Sequence, residues 1–94
     1  MAHIPRRRSD LHARLVDGEV VVLDRKTDLV HQLNATASFI WERCDGRATP
    51  QDIAVQLVEA FEVDAHTAAA SVASTLEQLA RLGLLESPDT RASS

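Results

Sequence analysis

Cysteine is almost missing from this chain. Cys44 stands alone among 94 residues, so no internal disulfide framework can form. Glycine is scarce as well, with three positions, and neither a GxGxxG fingerprint nor a phosphate-cradling loop is present. No apolar run approaches the roughly 20 residues that a bilayer-spanning helix needs. Basic charge is not in surplus: 10 Lys and Arg face 14 Asp and Glu, for a net charge of −4. Nucleic-acid binders normally carry a basic face, so that class of partner is not expected. The opening stretch MAHIPRRRSD holds basic residues with no apolar run behind them, so no secretory signal is read there. The expected location is cytoplasmic, with no membrane partner.

What is present describes a small globular domain. Apolar residues make up 45% of the chain, which suits a packed core and not a disordered polymer. The length allows one domain, burying about 60–65% of its unfolded surface. The expected organisation is a flexible basic arm over 1–8, a single domain over 9–86 and a disordered tail over 87–94, where the sequence is polar and lacks periodicity.

The first third reads as strands. LHARLV (11–16) alternates apolar and polar, as a half-buried strand does. Asp17-Gly18 is a strong two-residue hairpin signal. EVVVLD (19–24) is rich in β-branched residues and fits a second strand. RKTD makes the next turn, and LVHQL (29–33) a third strand with Leu29, His31 and Leu33 on one face and Val30 and Gln32 on the other.

Three helices follow. Asn34-Ala35-Thr36 matches a glycosylation acceptor, but without a secretory signal Asn34 is better read as a helix N-cap. Ala37, Ile40, Trp41 and Cys44 then fall on one helical face, and Asp45-Gly46 ends the helix. Cys44 on that buried stripe is a small apolar group and not a nucleophile. Thr49-Pro50-Gln51-Asp52 opens a second helix with a cap, a proline and a first-turn acid. Asp64 caps a third over about 65–82, closed by Gly83. The fold class expected is therefore α+β, three antiparallel strands followed by three helices.

No catalytic or metal constellation emerges. His3, His12, His31 and His66 are not paired at helical spacing, and with one cysteine they give no metal-ligand pattern. No Ser-His-acid set and no paired carboxylates stand out, so neither an enzyme nor a cofactor is expected. Function should then come from binding. In a meander built in chain order the third strand is an edge, with free N–H and C=O groups for another extended chain. The third helix carries a core stripe of Ala68, Val72, Leu76 and Leu79 beside a shoulder of Ala69, Ala73 and Ala80. Such a shoulder leaves room for a ligand, although alanine is also simply the best helix former.

Taken in order, GEVVVLDRKTDLVHQLNATASFIWERCDG, TPQDIAVQLVEAFEVD and LEQLARLGLL resemble the PqqD family of peptide chaperones, whose fold is called the RiPP recognition element. The resemblance spans roughly Arg8 to Glu86. It implies a winged-helix-like domain that binds the leader of a ribosomally made precursor peptide. The leader adds as a strand beside strand three and packs against helix three. The chaperone presents it to a modifying enzyme, often a radical S-adenosylmethionine protein. Carried over, the peptide-binding residues are Leu29, Val30, His31, Gln32 and Leu33 on the strand, and Ala69, Ala73, Leu76 and Ala80 on the helix. Members devoted to making the quinone cofactor PQQ tend to carry a PE element near the start of strand three. KTDLVHQLN stands there instead, which is similar to the wider PqqD-like group serving other peptide pathways. Two other functions fit a domain of this shape: a winged-helix DNA-binding regulator, and a scaffold subunit of a larger enzyme.

Overall fold

A computed structural model describes residues 4–86. Three antiparallel strands lie in chain order, β1 (His12–Val16), β2 (Glu19–Asp24) and β3 (Leu29–Gln32). Three helices follow, α1 (Ala35–Glu42), α2 (Pro50–Phe61) and α3 (Ala65–Arg81). This is the expected α+β order. The first hairpin turns on Asp17 and Gly18, whose φ angles of 53° and 82° are both positive, as a turn matching the strand twist requires. Asp28, with φ 63°, serves the second turn; aspartate is among the few side chains that tolerate that conformation.

β2 is the spine. Val20, Val22 and Asp24 point inward and are buried, while Glu19, Val21 and Leu23 alternate to the other face and are half-buried. β1 differs from the half-buried strand expected: all five of its residues are exposed. The helical layer packs on β2 and does not reach β1, so its alternation faces solvent on both sides.

Each helix starts where its cap says it should. Asn34 Oδ1 accepts from the Ala37 amide at 2.8 Å. Thr49 and Asp52 form a reciprocal capping box, and Asp64 Oδ1 accepts from Thr67 N–H at 2.6 Å. Such caps satisfy amides that the first helical turn leaves unpaired. α1 stops earlier than expected, at Glu42, and Gly46 with φ 82° lies past the end. Buried Ser38 ties α1 to the sheet: its Oγ accepts from Val20 N–H at 2.7 Å and donates to Leu33 O at 3.1 Å.

The core has two clusters. Val20, Val22, Leu33, Trp41, Leu79 and Leu84 pack between sheet and helices. Ile40, Cys44, Ile53, Leu57, Ala68 and Val72 pack among the helices. Cys44 is fully buried. Desolvation pushes its thiol up to about 12 despite the charge of Arg7 nearby, so it is neutral and inert, as an apolar filler should be.

The first residues depart from the flexible arm expected over 1–8. Pro5 is buried. Gly46 N–H donates to Pro5 O at 3.0 Å, Arg7 N–H to Cys44 O at 2.8 Å, and Glu86 N–H to Arg6 O at 2.8 Å. Arg7 lies over the Trp41 ring at 5.4 Å and donates to the Glu42 carbonyl. The arginines are thus anchored by backbone pairing and an aromatic face, which a reading of their charge alone misses. Residues 1–3, with His3, and the tail over 87–94 lie outside the described residues.

Candidate functional site

The ladder pattern decides which groups of β3 are free. Leu33 N–H donates to Val20 O at 2.9 Å. Opposed residues in an antiparallel pair alternate between bonded and non-bonded, so Val22↔His31 and Asp24↔Leu29 are bonded pairs, while Val21↔Gln32 and Leu23↔Val30 are not. The amides of Leu29, His31 and Leu33 therefore point at β2. Those of Val30 and Gln32 point away from it, at the open edge. Simple alternation of side chains could not reveal this, because it fixes faces but not which backbone groups are used.

The five predicted strand residues divide accordingly. Leu29 and Val30 are 52% and 64% exposed. Gln32 is exposed, with its amide donating to Glu19 Oε1 at 3.0 Å. His31 is half-buried on the inner face. Leu33 is the exception: only 5% exposed, it belongs to the core, and its amide is committed to β2. It is no part of the open edge.

β3 and α3 do not pack on each other: no Cα of one lies within 8 Å of a Cα of the other. Arg8 links sheet and helix: its Nη1 donates to Asp24 Oδ2 at 3.0 Å and to Gly83 O at 2.8 Å. Arg8 also pairs with Asp10 at 2.6 Å. The hydrogen bond from Arg8 holds Asp10 down at about 2. Burial opposes ionisation of Asp24, but hydrogen bonds from Arg8 and the Lys26 amide outweigh it and lower its pKa. The bridge joins the end of β2 to the end of α3. Leu29, opposite Asp24 in the sheet, and Leu82, next to Gly83, are thereby set at one end of the molecule. Both are partly exposed.

The predicted helix residues lie elsewhere. Ala69 and Ala73 line a groove of about 310 Å³ with Pro50, Gln51 and Ala54 of α2. Leu76 packs on the helical cluster, and Ala80 is exposed. Ala69 and Ala73 are thus turned to α2, and no residue of α3 comes within 8 Å, Cα to Cα, of β3. At about 100° per residue, Ser71, Thr75, Gln78 and Leu82 occupy the other side of the buried Ala68, Val72 and Leu79 stripe. Ser71 and Thr75 are half-buried. These polar residues carry no periodic apolar signal in the sequence. Among the described residues no group of His, Cys, Asp and Glu is arranged to hold a metal ion, and no helix is long and apolar enough to cross a membrane.

Fold and edge together define a small winged-helix-like domain whose last strand has one open edge. The family model described as coenzyme PQQ synthesis protein D, PqqD, matches residues 19–85, and the chain belongs to the PqqD family. No curated protein matches it. Two solved structures are similar in sequence and shape. One is TbiB1 in complex with the TbiA(beta) leader peptide: 27% identity, 86% of this chain and 94% of that chain covered, TM-score 0.77. The other is lasso peptide synthetase B1 complexed with the leader peptide: 27% identity, 90% and 100% covered, TM-score 0.78.

Proposed function

We propose that this protein is a non-catalytic chaperone that binds the leader of a ribosomally made precursor peptide by strand addition to β3 and presents it to a modifying enzyme. The observation that carries this is the open edge, where the Val30 and Gln32 amides and carbonyls make no bond to β2. Main-chain pairing there supplies affinity that tolerates sequence change, and the walls select side chains. The flank of α3 that ends at Leu82, beside the Arg8 bridge, forms the helix wall: Ser71, Thr75, Gln78 and Leu82 replace the alanines in that role. The leader complexes of the two similar structures support the reading.

Ordering a flexible leader costs several kcal/mol, so micromolar to sub-micromolar affinity is expected. Held in this way, the core peptide is kept at high effective concentration beside the enzyme, and the chaperone needs no catalytic residue. A radical S-adenosylmethionine partner rests on the family resemblance alone; the similar structures favour a synthetase system. DNA reading has less behind it. A recognition helix offers basic and amide side chains to the groove, whereas Arg81, the one Arg or Lys of α3, already lies 3.3 Å from Glu77. Titration with the leader encoded beside this protein, with duplex DNA and with the neighbouring enzyme tests the proposal. Leader binding at micromolar or better is expected, and binding to duplex alone overturns it.

A further inference from the structure

One polar atom on the inner face of β3 has no partner. His31 Nε2 is buried, and no hydrogen-bonding group reaches it among the described residues. Its position in the ladder gives this atom a use. A strand added antiparallel at the Val30 and Gln32 amides sets one of its residues directly across from His31. Because the His31 amide is committed to β2, that pair is non-bonded, the type in which Cα atoms approach to about 4.5 Å and side chains lie closest. The incoming side chain shares the inner face with His31.

We infer, on the reading that a leader adds to β3, that His31 is a specificity-determining residue and selects a neutral hydrogen-bonding side chain, a hydroxyl or carboxamide, at the leader position across from it. The chemistry follows from the ring and its surroundings. In a neutral imidazole Nε2 is either donor or acceptor, and a hydroxyl or carboxamide complements both. An apolar side chain leaves the buried Nε2 still without a partner, whereas a hydroxyl or carboxamide supplies the missing hydrogen bond. A carboxylate or ammonium must give up more hydration than a neutral group to reach the inner face. Val22 faces His31 in the sheet, Leu29 and Leu33 flank it, and Ser71, Thr75 and Gln78 on the helix wall are uncharged. The charges that join β2 to the end of α3, Arg8, Asp10 and Asp24, already satisfy one another.

The test selects a displayed library of random ten-residue peptides on the wild-type protein, on His31→Leu and on Val30→Pro. Peptides held by the wild type should share Ser, Thr, Asn or Gln at one position. Changing that residue to Val in a selected peptide should weaken binding about tenfold, equivalent to about 1.4 kcal/mol. On His31→Leu the same change should matter less than twofold. The peptide-side swap on the wild type reads the preference without any protein variant. No polar preference, or one that survives in His31→Leu, overturns the role of His31. Peptides that need the Val30 amide but ignore His31 overturn this inference and leave strand addition standing. An empty wild-type pool, or one bound equally by Val30→Pro, overturns strand addition itself.

Discussion

Replacing Val30 with proline removes one N–H from the open edge of β3 and nothing from the ladder. Val30 faces Leu23 in a non-bonded pair, so its amide makes no bond to β2. Proline is tolerated on an edge strand when its missing N–H would face outward. The lost isopropyl group is mostly exposed, so the urea midpoint should move by no more than a surface substitution moves it, within about 0.5 kcal/mol. Binding should respond differently. A leader carbonyl that met the Val30 N–H is now buried against a ring carbon, at about 1–3 kcal/mol. That is roughly a five- to hundredfold loss of affinity, readable by fluorescence anisotropy of a labelled leader. His31→Pro provides the contrast: its amide belongs to the β2 ladder, so it should lose stability first. Unchanged leader affinity in a folded Val30→Pro protein would refute strand addition. A folding collapse of Val30→Pro would refute the amide assignment.

Three further outcomes are expected. Thr75→Arg should lower leader affinity at least tenfold, about 1.4 kcal/mol, while Ala73→Arg, on the flank facing α2, should change it less than twofold; the reverse order in the same anisotropy assay would return the alanine shoulder to the binding site. Trp41→Ala should cost about 3–5 kcal/mol in a denaturant melt, because the indole is in the sheet-side core and donates to Leu84 O at 3.3 Å; an unshifted midpoint would place the ring outside the core. Acid should destabilise the fold: Asp10 is held at about 2 against an ordinary 3.8, and Asp24, Asp45 and Asp64 are also lowered. Between those values the unfolded chain binds more protons, so this stability is complete above about pH 4 and is lost as pH falls toward 2. Midpoints that rise on acidification through this range would contradict it.

Most of the fold could be read from local signals. EVVVLD gives β2 residue for residue, and Thr49-Pro50-Gln51-Asp52 gives the start of α2, because β-branching, turn φ values and capping chemistry act over a few residues. The candidate site was only half legible. The meander order located the edge and strand periodicity its two faces, while the family resemblance carried Leu33 onto the edge although its amide and side chain are both taken inward. The alanine flank of α3 is ambiguous for a different reason: alanine fits against a ligand and against a neighbouring helix equally well, and in the fold Ala69 and Ala73 border α2. Arg8 shows the same limit. Its role in joining Asp24 to Gly83 depends on two residues 16 and 75 positions away, which no local pattern reports.

The alternation along β3 makes the central claim directly measurable. Amide hydrogen exchange followed residue by residue by NMR, with and without the leader encoded beside this protein, reads each N–H of the strand separately. In the free protein Leu29 and His31, bonded to β2, should be protected, and Val30 and Gln32 should exchange quickly. Leader binding should slow Val30 and Gln32 selectively and leave their neighbours nearly as they were. Protection gained along α2 or the Arg6–Arg8 segment, with Val30 and Gln32 still exchanging quickly in the saturated complex, would contradict docking at this edge.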